Sequence, residues 1–186
     1  MAKRKTKNGE TGARKAEAWA GLWPGENPKR AKALLQALHI LTRDGQLNAD
    51  AKRKLKQVLH LAQLIRPALD EALANTGEPV LADLGAGKSY LGFVLYDLVF
   101  GPAGRGRVVG VETRADLVEA SRKLATECGF TRMEFVQAPI AEAQIAGNVD
   151  IVTALHACDT ATDDAIRFAL RHEAKHIALI PCCQAE

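Results

Sequence analysis

The stretch VLADLGAGKSYLG, residues 80–92, decides the fold of this chain. Residues 80–83 are typical of a short buried strand, and Gly85 and Gly87 interrupt the pattern directly afterwards. An apolar periodic run over residues 90–100 then predicts a helix. Glycine has no Cβ, so the backbone can pass close to a ligand, and the start of a helix offers unpaired N–H groups. The strand, turn and helix therefore predict a binding site for a nucleotide-like small molecule.

Three kinds of nucleotide-binding turn have sequence motifs that can be compared with these residues. The dinucleotide fingerprint G-x-G-x-x-G needs a third glycine where the chain has Tyr90, so close helix-to-strand packing of that type is not expected. A phosphate-binding P-loop, G-x-x-x-x-G-K-[ST], matches at Gly87, Lys88 and Ser89, but its first glycine falls on Ala82. An acidic residue, an apolar residue and then G-x-G resembles motif I of class I S-adenosylmethionine-dependent methyltransferases. We prefer this third interpretation and keep the P-loop as an alternative.

Composition limits the class of protein. With 186 residues, 47% of them hydrophobic, the chain can form one packed domain and an appendage. It has no run of eighteen apolar residues, and its first fifteen, MAKRKTKNGETGARK, lack the apolar core of a secretory signal. Its four cysteines include no C-x-x-C pair. We therefore predict a cytoplasmic protein with reduced thiols that does not associate with membranes.

Charge is distributed unevenly along the chain. Residues 1–70 contain 15 Lys and Arg against 6 Asp and Glu, whereas residues 71–186 contain 10 against 16. A basic segment beside an acidic catalytic domain suits a polyanionic substrate such as RNA. The alternative is an ordinary solvated helix face with a basic tail.

The basic half divides into a tail and a helical cap. Residues 1–27 lack periodicity and are predicted to be a largely flexible tail, in which Trp19 and Trp23 either pack onto the folded body or stack on a base. Residues 28–75 are predicted to form the cap, with helices over 28–42 and 48–65 and a kink or restart at Pro67.

From residue 76 the pattern alternates between strand and helix, which is typical of a Rossmann-like parallel sheet. We predict an α/β fold whose five strands follow the order 3-2-1-4-5. The second strand ends at Glu112, beside the end of the first, where a carboxylate can accept hydrogen bonds from a ribose diol. Ala138 follows the third strand, where an adenine ring would lie. The further strands are predicted over residues 107–112, 133–137, 149–155 and 176–180, with helices over 115–128 and 162–171.

Two further motifs extend the resemblance. LHACDTATDDAI at residues 155–166 and ALIPCCQ at 178–184, together with ADLGAGKSYLG, resemble the methyltransferase domain of the tRNA acceptor-stem 2′-O-methyltransferases and several methyltransferase-like proteins. The resemblance covers residues 50–186. It departs from the family pattern at Ser89 and Asp159, where the family has glycine, and at Leu155, where the tRNA enzymes have lysine. These departures leave the methylated atom open.

The resemblance also implies a longer sheet. The family has seven strands, so the last two are expected to be missing from this sequence. The apolar edge beside the fifth strand would then be covered by another chain or by further residues.

The resemblance implies S-adenosylmethionine as the cofactor and names the residues around it. Methyl transfer is an in-line displacement that mainly requires a positioned acceptor and a base. His156 is the candidate base, with a structural role as the alternative, and Asp159 either orients it or caps the next helix. The residues implied in cofactor binding are Asp83, Gly85, Ala86, Gly87, Lys88, Glu112, Thr113, Ala138 and His156.

A metal site is not predicted. Cys158, Cys182 and Cys183 could converge with His156, but zinc-knuckle spacing is absent and small residues shaping a pocket are the simpler interpretation. The sequence thus predicts a methyltransferase acting on tRNA or rRNA. The alternatives are a non-catalytic module that binds the cofactor or RNA, and a P-loop-like nucleotide-binding protein. The oligomeric state is left open.

Overall fold

The computed structural model describes residues 19–155 and 160–180. The chain forms two compact units that meet in sequence between Gln57 and Val58. Within the described residues, the first unit comprises residues 19–57 and the second comprises residues 58–155 and 160–180. The predicted tail lies mostly outside this part of the chain.

The first unit contains helix α1, Pro28–Ala37. It begins where the Asn27 side chain accepts a hydrogen bond from the Arg30 N–H at 3.0 Å, and proline suits the first turn because its missing N–H has no partner there. The helix stops before the predicted residue 42 because His39 adopts a left-handed conformation, with φ of 57°. Trp19 and Trp23 are both buried, as the packing interpretation predicted.

Helix α2, Ala49–Asn75, runs through the boundary between the two units. It begins at Asn48, whose side chain accepts a hydrogen bond from the Ala51 N–H at 2.8 Å. Of the two outcomes predicted at Pro67, a kink or a restart, the restart is wrong, because the helix continues through this residue. Proline removes one N–H donor, and the flanking turns, with Ile65 and Leu69 buried, keep the helical path.

The second unit is built on a five-stranded sheet in the order β3-β2-β1-β4-β5, with every pair parallel. This confirms the predicted fold class and strand order. The central strand β1 is buried along its whole length, as expected for a sheet covered on both faces. The strands are β1 Val80–Leu84, β2 Arg107–Glu112, β3 Met133–Gln137, β4 Ile151–Leu155 and β5 His176–Ile180.

Helices connect the strands, as the alternating pattern predicted. After β1 come α3, Tyr90–Leu95, a π-helical turn, Tyr96–Phe100, and a helical turn, Gly101–Ala103. The other connections are α4, Ala115–Glu127, a 3₁₀ turn, Ile140–Glu142, and α5, Thr160–Arg171.

Parallel pairing aligns the strand ends that matter for function. Asp83 is level with Gly110, and Leu84 is level with Val111, so β1 and β2 finish side by side. The turns that follow β1 and β2 therefore meet at one edge of the sheet. This is the edge at which open α/β sheets bind ligands.

The outer strand β5 and the preceding helix α5 have exposed apolar side chains. Leu170 is 73% exposed and Ile177 is 45% exposed. Within the described residues, no helix is both long and apolar enough to cross a membrane.

Candidate cofactor site

The turn after β1 has the backbone conformation that the glycines suggested. Gly85, Gly87 and Ser89 all lie in the left-handed region, with φ of 65°, 57° and 51°. We call residues 85–89 the glycine turn. Glycine adopts these angles without steric cost, so Gly85 and Gly87 are in the places where this path requires them.

Ser89 is the residue at which the glycine turn becomes a helix. Its N–H donates to the Ala86 carbonyl at 2.6 Å, and its own carbonyl accepts from the Phe93 N–H at 2.9 Å. Its side chain is only 1% exposed, and its hydroxyl donates to Asp83 Oδ2 at 3.1 Å. A non-glycine residue with this φ is strained, and the buried hydrogen bond offsets part of the cost.

Asp83 lies beneath the glycine turn and is 3% exposed. Oδ1 accepts a hydrogen bond from the Thr153 hydroxyl at 2.9 Å, and Oδ2 accepts one from Ser89. Burial raises the pKa of Asp83 to about 6, although hydrogen bonds from Thr153, Ser89 and the Gly92 N–H oppose the rise. The buried carboxylate is thus paired with donors from the protein itself. Asp83 shapes the glycine turn from below.

Gly92 brings the first turn of α3 close to the sheet. A Cβ on Gly92 would overlap Ser89 Oγ and would lie 3.3 Å from both Asp83 Oδ2 and Val108 Cγ1. Tyr90 stands where the dinucleotide fingerprint has its third glycine, as noted, yet close helix-to-strand packing is present. Gly92 supplies it two positions after the place where the dinucleotide fingerprint has its glycine, because Ser89 extends the turn before α3 begins.

Glu112 joins the end of β2 to the glycine turn. Its Oε2 accepts a hydrogen bond from the Gly87 N–H at 2.8 Å, and its Oε1 accepts from the Arg114 N–H at 3.0 Å and the Thr113 hydroxyl at 3.2 Å. Burial alone would raise the pKa of Glu112, but these bonds and the Arg114 charge outweigh it, so the pKa lies below its ordinary value. Glu112 is an anionic acceptor at the edge of the sheet.

Gly110 is a site residue that the sequence analysis missed. A Cβ on Gly110 would lie 2.8 Å from Phe135 Cδ1 and 3.5 Å from Ala86 Cβ. The Ala86 N–H also donates to the Val111 carbonyl at 2.9 Å, which attaches the turn to β2. A glycine inside the apolar strand RVVGVE was the available signal, since such a glycine often marks a close approach.

The segment after β3 forms a third side of the site. The Ala138 N–H donates to the backbone carbonyl of Glu112 at 3.2 Å, so Ala138 adjoins the end of β2. Ile140 Cδ1 lies 3.8 Å from the position that a Cβ on Gly85 would occupy. Lys88 is exposed on the turn. The structure therefore brings together the described members of the predicted set: Asp83, Gly85, Ala86, Gly87, Lys88, Glu112, Thr113 and Ala138.

The predicted catalytic residues, His156 and Asp159, lie outside the described residues. So do Cys158, Cys182 and Cys183, which were considered as metal ligands. Residues 19–155 and 160–180 contain no group of three or more His, Cys, Asp or Glu side chains that could hold a metal ion.

The P-loop alternative requires a free Ser89 hydroxyl, because the hydroxyl at this position of a P-loop binds Mg²⁺. The hydroxyl of Ser89 is instead buried and donates to Asp83. This geometry argues against a P-loop.

A separate groove of about 550 Å³ lies between α4 and β3. Its lining includes Arg122, Thr126, Phe130 and Glu134, and none of the predicted cofactor residues. The Arg122 guanidinium donates to the Phe135 carbonyl at 2.6 Å on this side of β3.

Comparisons with known proteins agree with this architecture. The structure of the Podospora anserina methyltransferase PaMTH1, solved with SAH bound, superposes with a TM-score of 0.56 at 12% identity, over 96% of this chain and 73% of that one. The Bacillus subtilis protein YcgJ superposes with a TM-score of 0.50 at 19% identity, over 66% of this chain and 50% of that one. At these identities the likeness concerns the fold.

A curated relative aligns over most of the chain. The Bos taurus glutathione S-transferase C-terminal domain-containing protein is 28% identical over 145 residues, which is 77% of this chain and 21% of that protein. The chain therefore spans about a fifth of the length of this relative.

Family membership follows from the sequence profile described as a methyltransferase domain, which matches residues 53–186. The match includes the whole sheet, the glycine turn and Glu112. It confirms the predicted methyltransferase class, for which S-adenosylmethionine is the predicted cofactor. The chain belongs to the methyltransferase domain family.

Proposed function

We propose that this chain is an S-adenosylmethionine-dependent methyltransferase domain that acts on RNA. The observation that carries the proposal is the position of Glu112, whose carboxylate lies against the Gly87 N–H at the joined ends of β1 and β2. A carboxylate at this place is suited to accept hydrogen bonds from the two hydroxyls of a ribose. The family match and the fold support the cofactor and methyltransferase part of the proposal.

The cofactor would lie along the glycine turn. Gly85 and Gly87 let it approach the backbone, Glu112 would hold the ribose, and Ala138 would adjoin the adenine. When bound, S-adenosylmethionine supplies a methyl group on a sulfonium, which is already activated for an in-line displacement. The protein then has to orient the acceptor and remove its proton. His156 is the candidate for that proton transfer, with Asp159 as its orienting partner.

Charge supports RNA as the substrate. Lys52, Lys54 and Lys56 are all exposed at the start of α2. They belong to the segment of residues 1–70, in which basic residues outnumber acidic ones by 15 to 6. Exposed cations of this kind attract the phosphates of a nucleic acid. The resemblance of the three motifs to tRNA methyltransferases points to the same class of acceptor.

Calorimetric titration with S-adenosylhomocysteine tests the cofactor half of the proposal. We expect saturable binding by the wild-type chain and none by Gly85→Arg. Arginine is strained at φ of 65°, and its side chain would enter the space between the turn and Ile140. Magnesium-dependent ATP binding without S-adenosylhomocysteine binding would instead support the P-loop alternative.

Transfer of labelled methyl groups to total RNA tests the substrate half. We expect incorporation of label that depends on the enzyme and is abolished in Gly85→Arg. Binding of S-adenosylhomocysteine without any transfer to RNA would favour the alternative of a non-catalytic module that binds the cofactor or RNA.

A further inference from the structure

We propose that Ser89 is a positioning residue for the cofactor, because its hydroxyl fastens the end of the glycine turn to Asp83. The inference rests on the proposed function, since it assumes that the glycine turn holds S-adenosylmethionine. It concerns a position at which this chain departs from the glycine of the family that it resembles. Ser89 would act through Asp83 and the turn, without contacting the cofactor.

The first reason is that the backbone conformation at position 89 is unfavourable for serine. With φ of 51°, the position suits glycine, and a side chain there adds strain. A serine in this conformation needs a compensating interaction. The structure provides one in the 3.1 Å hydrogen bond from Ser89 Oγ to Asp83 Oδ2.

The second reason is that the fold encloses this hydrogen bond completely. Ser89, Asp83 and Thr153 are 1%, 3% and 0% exposed, so solvent does not substitute for a missing partner. Gly92 leaves the space that the Ser89 hydroxyl occupies. Without Ser89, the carboxylate would keep only the hydrogen bonds from Thr153 and the Gly92 N–H, and the loss of a donor to a buried acceptor is costly. The donors to Asp83 therefore come from the glycine turn and α3 on one side and from β4 on the other, and they fix it between them.

The third reason is that Ser89 connects directly to the atoms that would face the cofactor. Its N–H donates to the Ala86 carbonyl, and the Ala86 N–H donates to Val111 on β2. Gly87, which lies between Ala86 and Ser89 in the chain, donates its N–H to Glu112. A shift of Ser89 would therefore move the amide that lies beside Glu112.

This arrangement makes the turn sensitive to the protonation of Asp83. A carboxylate can accept from Ser89 and Thr153 together, whereas a neutral carboxyl must itself donate. Thr153 Oγ1 lies 3.5 Å from the Ala82 carbonyl, so its hydroxyl can turn toward Ala82 and accept from Asp83. Such a rearrangement would weaken the hold on Ser89.

Other titratable side chains surround the turn on neighbouring elements. Lys88 lies in the glycine turn itself, Tyr90 begins α3 and Glu112 ends β2, while β4 contributes no titratable residue from Ile151 to Leu155. The pKa of Glu112 is lowered, so it stays ionised across the range in which Asp83 titrates.

The test is calorimetric titration of the full chain with S-adenosylhomocysteine from pH 5 to pH 8. In the wild type we expect affinity to fall as the pH decreases through about 6, the pKa of Asp83. We expect Ser89→Gly, which relieves the strained φ but lacks the hydroxyl, to bind roughly three- to tenfold more weakly at pH 7.5. The pH at which its affinity has fallen halfway should be higher than in the wild type, because Ser89→Gly loses a hydrogen bond that lowers the pKa of Asp83.

Two further variants test the other members of this hydrogen-bonded group, Thr153 and Asp83. Thr153→Val removes the other donor and should move the midpoint in the same direction. Asp83→Asn should abolish the pH dependence in this range. Circular dichroism checks that each variant is folded.

The outcomes distinguish this inference from the proposed function. If the wild type does not bind S-adenosylhomocysteine at any pH, the proposed function fails and this inference fails with it. If the wild type binds, but Ser89→Gly binds equally well with an unchanged midpoint, only the role of Ser89 is overturned. Weaker binding with a shifted midpoint supports the role.

Discussion

The Glu112 carboxylate and the Gly87 backbone N–H are joined by a 2.8 Å hydrogen bond that connects the ends of two neighbouring strands. The same carboxylate accepts from the Arg114 N–H and the Thr113 hydroxyl, so both of its oxygens are oriented. A negatively charged acceptor is thereby held in place next to a glycine turn, at the sheet edge where this fold binds ligands.

Replacing Glu112 should therefore impair cofactor binding. In Glu112→Gln the side chain keeps its size, but one acceptor oxygen becomes an NH₂ donor that faces the N–H of Gly87 or of Arg114. We expect the affinity for S-adenosylhomocysteine to fall by roughly tenfold or more, measured by calorimetry. Glu134→Gln is the matched control, because Glu134 is exposed on β3 and pairs only with Arg107 in the described contacts. Equal losses in both variants would contradict the role of Glu112.

Gly92 and Gly110 should tolerate no side chain. An added methyl group would meet Ser89 at the first position and the Phe135 ring at the second. We expect Gly92→Ala and Gly110→Ala each to lower the free energy of unfolding by about 1–3 kcal/mol, measured by urea denaturation. Gly77→Ala is the control: nothing lies within 4 Å of its added Cβ, so its effect should stay within about 0.5 kcal/mol.

Asp83 should make stability depend on pH in the direction opposite to that of a carboxylate whose pKa is lowered by folding. Its pKa is about 6 in the folded chain, against an ordinary value of 3.8, because burial disfavours the ionised form. Between these values the folded chain holds a proton that the unfolded chain has released. The contribution of Asp83 to stability is thus fully present below pH 3.8 and is lost as the pH rises through about 6.

The comparison of wild type with Asp83→Asn isolates this effect, because asparagine does not titrate. The free energy of unfolding of the wild type relative to the variant should decrease by up to ~3 kcal/mol as the pH rises from 4 to 7. Thermal or urea denaturation at a series of pH values measures it. A difference between the two proteins that stays constant over this range would show that Asp83 titrates normally.

The basic start of α2 should contribute to RNA affinity and not to cofactor affinity. Replacing Lys52, Lys54 and Lys56 together by glutamine should weaken binding of a labelled RNA and reduce its dependence on salt. The slope of log affinity against log salt should fall by roughly 1–2 for single-stranded RNA. Fluorescence anisotropy at several KCl concentrations measures both quantities.

A control variant carries the same change in charge elsewhere. Lys123, Arg167 and Lys175 are exposed on the second unit, and their replacement by glutamine removes three positive charges as well. If both triple variants lose RNA affinity equally, binding depends on net charge alone. Both should keep the wild-type affinity for S-adenosylhomocysteine.

Much of the fold was predictable from the sequence because its signals are local. The strand boundaries of β2, β3 and β5 agree with the prediction, since glycine, proline or charged residues lie close to the ends of these runs. The strand order follows from right-handed crossovers around a β1 that ends in the glycine turn. Two predicted helix boundaries, at Pro67 and at residue 42, were wrong. Neither the continuation of α2 through Pro67 nor the left-handed turn at His39 is dictated by residue type alone.

The sequence by itself determined the class of the site, because G-x-G after an apolar strand and an acidic residue at the end of the next strand depend only on neighbours in the chain. The tertiary structure decided what each residue does there. Parallel pairing brought Gly110 and Val108 of β2 and Thr153 of β4 against β1 and its turn, from positions distant in the chain. Packing at these contacts made Gly92 and Gly110 sterically necessary and buried Asp83 beneath the turn, while it left Glu112 at the edge. Such roles depend on distances between strands, which no local pattern encodes.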